Sequence, residues 1–192
     1  MQNFPNKSAN KLTGKLRIVG GTWRSRVLRF VEAEGLRPTP DRVRETLFNW
    51  LGQELHGLHC LDLFAGSGAL GFEAASRGAA SVVMVENNAQ VHRTLLDNAK
   101  LLNAGQIQIE RGDALSFLSA NQQKFDVIFL DPPFHQQWLE KLLPQLAMHL
   151  ADNGVVYVEA ESPLTETLEW QLAKQGKAGA VHYHLLKYGD GT

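Results

Sequence analysis

Asp131-Pro132-Pro133-Phe134 is the stretch of this chain whose residue types most directly suggest chemistry. It follows an apolar run, Phe125–Leu130, that reads as a buried strand. Two prolines fix φ and remove two backbone donors, so the turn presents mainly acceptors. An acid and an aromatic on such a turn suit a planar base with an exocyclic amine. The acceptors take the amine hydrogens and the ring stacks on Phe134. The same residues also fit an ordinary strand-to-helix turn with Asp131 as a cap, and Phe134 also fits a core aromatic.

A second group of residues is spaced to meet a cofactor. Leu61-Asp62-Leu63-Phe64-Ala65-Gly66-Ser67-Gly68-Ala69-Leu70-Gly71 runs from an apolar strand into a glycine-rich turn. The spacing matches G-x-G-x-x-G, a weak signal by itself that also permits a nicotinamide or flavin dinucleotide. Against that reading, Asp62 puts an acid where a pyrophosphate would sit. Further acids follow the strand ends: Glu86, Asp113, Asp131 and Glu159. In an open parallel sheet, ligands bind outside the carboxyl ends of the strands, so these acids gather on one rim. A rim of carboxylates favours a small cation without phosphate, such as S-adenosylmethionine. Asp62 is expected toward the methionine amino end, Glu86 (with Asn87 beside it) at the ribose diol, and Asp113 (with Ala114) at the adenine amine. Phe64, Ala65, Gly66, Ser67 and Gly68 form the expected cradle, with the cofactor carboxylate near the helix N-terminus at Ser67-Gly68. Glu159 reads as a solvated strand-end acid.

The elements needed to position these groups are legible as apolar runs separated by helical stretches. The runs are Cys60–Phe64, Ser81–Val85, Ile107–Ile109, Phe125–Leu130 and Val155–Val158. The helices are Ala69–Arg77, Ala89–Leu102, Leu115–Ala120 and Gln136–Leu150. Such alternation predicts right-handed βαβ crossovers and a parallel sheet. Leu168–Ala173 and Ala180–Lys187 read as two further strands around a turn at Gln175-Gly176-Lys177. Upstream, Leu16–Phe30 loosely alternates around Gly20-Gly21 and predicts a hairpin. Thr39-Pro40 predicts a helix start, with Thr39 as cap. The expected organisation is a disordered tail over 1–14, a basic hairpin over 15–36 and a catalytic domain over 37–192.

Charge is unevenly distributed along the 192 residues. Residues 1–50 hold ten basic and four acidic residues, a balance of +6, and the remainder holds nine and sixteen, or −7. A basic arm interleaved with Trp23 and Phe30, on an acidic body, suggests a polyanion-binding extension. The lone cysteine, Cys60, excludes an internal disulfide and reads as a buried structural thiol. The seven histidines show no metal spacing, so no metal is expected. Mean hydropathy is −0.21, and no apolar run approaches the ~18 residues a membrane span needs. Met1–Lys15 lacks a signal-peptide core, so a cytoplasmic protein is the expectation, with a monomer as the default.

Together these motifs resemble the Rossmann-like class I S-adenosylmethionine-dependent methyltransferases. Asp131-Pro132-Pro133-Phe134 resembles the Asp/Asn-Pro-Pro-aromatic motif of enzymes that methylate base amines. Arg17-Ile18-Val19-Gly20-Gly21-Thr22-Trp23-Arg24 and Arg37-Pro38-Thr39-Pro40-Asp41-Arg42-Val43-Arg44-Glu45-Thr46-Leu47-Phe48-Asn49 are similar to signatures of the RsmD family, bacterial 16S rRNA guanine-N2 methyltransferases. Ser25 stands where glycine is common in that family. The resemblance covers about residues 15–188. It implies a seven-stranded, mostly parallel sheet with helices on both faces, and transfer to a guanine N2 of 16S rRNA, within the 30S subunit or outside it. Asp131 and Pro132 would then hold the amine, while Arg17, Trp23, Arg24, Arg26, Arg37, Thr39, Arg42 and Arg44 would face RNA. Two other activities share parts of the pattern. A DNA adenine-N6 methyltransferase shares the proline turn, and an NAD(P)-dependent oxidoreductase shares the glycines.

Overall fold

The computed structural model describes residues 14–31, 38–134, 137–167 and 169–189. Arg37 and most of the expected tail lie outside the described residues. β1 (Gly14–Arg17) and β2 (Val27–Phe30) pair antiparallel, with Lys15 opposite Arg29. Then follow α1 (Asp41–Trp50), β3 (His59–Asp62), α2 (Ala69–Ser76), β4 (Ser81–Glu86), α3 (Ala89–Leu102) and β5 (Ile107–Arg111). After these come α4 (Ala114–Ala120), β6 (Phe125–Leu130), α5 (Trp138–Leu146), β7 (Leu150–Ala160), β8 (Trp170–Ala178) and β9 (Val181–Tyr188). Seven strands form one sheet in the order β5-β4-β3-β6-β7-β9-β8. β3 to β7 are parallel, and β9 runs antiparallel to both its neighbours.

Alternation along the strands sends side chains to two apolar layers. Cys60, Val82, Met84, Val127, Phe129 and Tyr157 pack under the hairpin and α1 to α3. Leu61, Val83, Val85, Ile128, Leu130 and Val158 pack under α4 and α5. α3 spans the stretch that its apolar periodicity predicts. Asn88 caps it by accepting from the amides of Gln90 (2.9 Å) and Val91 (3.1 Å), and Asn103 ends it at φ 52°.

The hairpin is fastened to the sheet layer rather than free of it. Leu16, Ile18, Leu28 and Phe30 point inward and are buried, while Lys15, Arg17 and Arg29 point outward. Ser76, at the end of α2, donates its hydroxyl to the Gly20 carbonyl (2.6 Å) and accepts from the Trp23 amide (2.9 Å). Its own carbonyl accepts from the Thr22 amide at 2.7 Å. Gly21, at φ 71°, lies so close that a Cβ there would sit 1.8 Å from that carbonyl. Ser25 adopts φ 68°, a left-handed conformation that glycine takes more readily.

Two local expectations fail. The tail hairpin turns at Gly179-Ala180, not at Gln175-Gly176-Lys177, because those three residues continue β8 opposite His184, Tyr183 and His182. Gly176 is there because the Tyr183 ring lies across it; a Cβ would meet that ring at 2.4 Å. Thr39 does not cap α1: Pro40 takes that position, and the buried Thr39 side chain turns to the rim described below.

Candidate active site

The carboxyl ends of β3, β4, β6 and β7 bring Asp62, Glu86, Asp131 and Glu159 along one rim. Asp62 pairs in register with Met84 on one side and Phe129 on the other. Leu130 pairs with Val158, so Asp131 and Glu159 are the next residues on adjacent parallel strands. Asp113 follows β5 and caps α4, its Oδ1 accepting from the Ser116 amide at 2.9 Å. Hydrogen bonds from Ser116 hold its carboxyl below the usual carboxylate range. Ala114 is buried behind it, and Asn87 is exposed beside Glu86.

Between Asp62 and Gly71 the chain wraps tightly. The Ala65 amide donates to the Val85 carbonyl (3.0 Å) and the Gly68 amide to the Ala65 carbonyl (2.7 Å). Gly68 opens α2 at φ 82°, where a Cβ would strike Phe72 and Leu95. Glu86 anchors this loop: one oxygen accepts from the Gly66 amide (3.0 Å), the other from the Asn88 amide (2.7 Å). Ser67 is buried, and half-buried Phe64 meets Trp138 edge-on with centroids 5.4 Å apart.

Asp62 lies beneath the loop, 1% exposed. Its Oδ2 accepts from the Gly71 amide at 3.1 Å, and its buried Oδ1 has no partner among the described residues. Burial, opposed by the amides of Gly71 and Phe64, pushes its carboxyl up to about 7. Folding alone therefore favours protonated Asp62, and this contribution is lost as pH rises from the unfolded value through about 7.

At the other end, Asp131 is half-buried, Pro132 is buried, and Pro133 and Phe134 are exposed. Phe134 is therefore no core aromatic. The buried Thr39 hydroxyl favours the ionised forms of both Asp131 and Glu159. Tyr157 donates its hydroxyl to Glu159 at 2.9 Å. Glu159 is 5% exposed, which corrects its reading as a solvated acid. The pattern Tyr157-Val158-Glu159 was the available signal, since alternate residues on a strand share a face.

The arginines divide. Arg24 and Arg26 are exposed, and Trp23 is half-buried against the core. Arg42 is exposed on α1. Arg17 is exposed and paired with Asp41 at 2.8 Å. Arg44 is completely buried, donating to the Arg17 carbonyl and to Asp41, both at 2.6 Å. The expectation that Arg44 faces RNA is corrected: its guanidinium is a strut between hairpin and α1.

A groove of about 670 Å³ lies elsewhere, between Trp50, Lys174 and Lys187. It brings together one carboxylate, Glu166, against the four of the rim. Among the described residues no cluster of metal-ligating side chains forms, and no helix is long and apolar enough to cross a membrane.

Known proteins are similar to this chain over most of its length. Residues 16–187 match the family model described as conserved hypothetical protein 95. The ribosomal RNA small subunit methyltransferase D of Escherichia coli K12 is 42% identical over 188 residues, covering 95% of this chain and 93% of that protein. Its Haemophilus influenzae counterpart is 45% identical over 182 residues, covering 91% and 94%. The chain belongs to the RsmD family. A solved putative methyltransferase from Escherichia coli superimposes with a TM-score of 0.81 at 43% identity, covering 92% of this chain and 99% of that one. The fold is thus the Rossmann-like methyltransferase fold, and it also occurs, at 14% identity and a TM-score of 0.68, in a putative methyltransferase complexed with SAH.

The cofactor of this RsmD-family chain is S-adenosylmethionine, and the rim fits it. The orphaned Asp62 oxygen and the fixed Glu86 carboxylate are acceptors suited to a cationic group and to hydroxyls. A cation near Asp62 favours its ionised form, so binding near neutral pH is expected to release a proton and to tighten as pH rises through about 7. Calorimetry in buffers of differing ionisation enthalpy checks this. Asp62→Asn is expected to lose the protein's share of the released proton.

Proposed function

We propose that this protein methylates the exocyclic N2 amine of a guanine in 16S rRNA, within the assembled 30S subunit or outside it, and that it acts as a cytoplasmic monomer. The observation that carries this reading is the proline turn at the cofactor rim, with Asp131 at its base and Phe134 exposed. The names of the close relatives supply the ribosomal RNA; the turn supplies the amine chemistry.

Bound at the rim, S-adenosylmethionine supplies a methyl group on a positively charged sulfur, an electrophile that needs no prior deprotonation of the amine. Asp62, Glu86 and Asp113 hold the cofactor, with Phe64, Ala65, Gly66, Ser67, Gly68, Asn87 and Ala114 around it. Asp131 and the carbonyl of Pro132 accept the two amine hydrogens and orient the nitrogen lone pair. Positioning of this kind supplies roughly 7–11 kcal/mol in favourable cases. The base leaves its stack to reach the turn, and stacking on Phe134 returns about 1–3 kcal/mol.

Residues 15–36 serve as the RNA-facing arm and 37–192 as the catalytic body. Trp23, Arg24 and Arg26 lead the arm, with Arg17 and Arg42 nearer α1. Removing the whole arm would uncover Leu16, Ile18, Leu28 and Phe30, so point substitutions are the cleaner probe. Arg24→Gln with Arg26→Gln is expected to weaken RNA binding and to flatten its log–log salt slope by about 0.7 for each phosphate no longer neutralised. An unchanged slope, measured by fluorescence titration, removes these two residues from the interface.

Nucleoside mass spectrometry after incubation with isotope-labelled cofactor tests the function. Label in N2-methylguanosine from 16S rRNA is expected. Label in N6-methyladenosine of DNA instead would transfer the protein to the adenine class.

A further inference from the structure

We propose that Glu159, held by Tyr157 and Thr39, is a positioning residue that makes Asp131 one half of a carboxyl pair, and that this pair takes up the proton leaving the target amine. The inference rests on the amine-methylation reading above.

The geometry is that of neighbouring parallel strands. The Leu130–Val158 pair brings the next residues, Asp131 and Glu159, side by side. Tyr157 donates to Glu159 from the same strand, Tyr183 stands opposite Glu159 on β9, and Thr39 closes the pair from the segment before α1. Asp62 is the third acid acting on Asp131. Among the described residues, no cation is one of the groups acting on either carboxyl.

Thr39 has one hydroxyl proton, so it cannot donate fully to two anions at once. A protonated partner resolves the conflict, because a carboxyl O–H can donate to the Thr39 oxygen. Burial first, and then repulsion from Glu159 and Asp62, raises the Asp131 carboxyl; burial raises that of Glu159. Two such groups share one proton rather than ionise together.

The chemical step is balanced on these atoms. Once the nitrogen has accepted the methyl group it carries positive charge. Its N–H bond breaks, the electron pair stays on nitrogen and cancels that charge, and an O–H bond forms on Asp131. The pair then holds one proton more than at rest and releases it to solvent.

The test uses the full chain and its Glu159→Gln and Thr39→Val variants. Carbon-13 NMR follows the carboxyl titrations without substrate, and single-turnover rates with 30S subunits are read against pH. Removing the Glu159 charge is expected to lower the Asp131 midpoint by about one pH unit or more. The acid limb of the rate profile should follow it, with KM for the subunit unchanged. Thr39→Val removes a bond that favours ionised Asp131, so its midpoint should move the opposite way. Asp131 midpoints that coincide in all three proteins overturn the pairing. Shifted midpoints without any methylation of rRNA leave the pairing standing and sink the guanine assignment instead.

Discussion

Asp131→Ala should reduce methyl transfer by about 10²–10⁴-fold, the range a positioned proton acceptor contributes. Cofactor affinity should stay nearly unchanged, because Glu86 and Asp113 remain in place. The substitution removes the acceptor that aims the amine and the site that receives its proton. It also removes one of two crowded carboxyls, so the melting temperature should hold or rise. Single-turnover assays, cofactor calorimetry and thermal melts separate these effects. Parallel loss of transfer and cofactor affinity would place Asp131 in the cofactor site and refute its assignment to the amine.

Glu86→Ala should do the reverse, with its main effect on cofactor binding. The carboxylate accepts from the amides of Gly66 and Asn88, so it shapes the glycine turn in addition to its proposed role at the ribose. Charge-assisted hydrogen bonds contribute about 1.5–3 kcal/mol each. Losing two to the diol should weaken S-adenosylmethionine by about 10²–10⁴-fold, at about 1.4 kcal/mol per tenfold. Glu86→Gln, which keeps one oxygen acceptor, should fall between. Saturating cofactor should restore much of the Glu86→Ala rate but none of the Asp131→Ala rate. Near-wild-type affinity in Glu86→Ala would detach this residue from the ribose.

The parts that were legible in the sequence are those governed by local physics. α3 carries an amphipathic period, a capping Asn88 and a closing Asn103, all within one stretch. The parallel strands show as apolar runs, and their ends in acids mark the rim. What stayed hidden depends on distant partners. Thr39 before a proline is a good helix cap by itself, but Pro40 takes that position and the Thr39 side chain is buried beside the carboxyls of Asp131 and Glu159. Gly176 looks like a turn residue until the Tyr183 ring is laid across it. Arg44 looks like one more cation in a basic stretch, yet it is sealed between hairpin and α1. Glu159 looks solvated unless its alternation with Tyr157, which shares its face of β7, is read.

The Ser76 fastening at Gly20-Gly21 bears on how a target is chosen. If the arm grips phosphates as proposed, its span to Asp131 is set by the protein's own hydrogen bonds, like the fixed jaws of a caliper. Such a gauge selects a nucleotide by its distance from gripped backbone more than by the letters around it. A preformed particle offers one such distance, whereas loose RNA offers many.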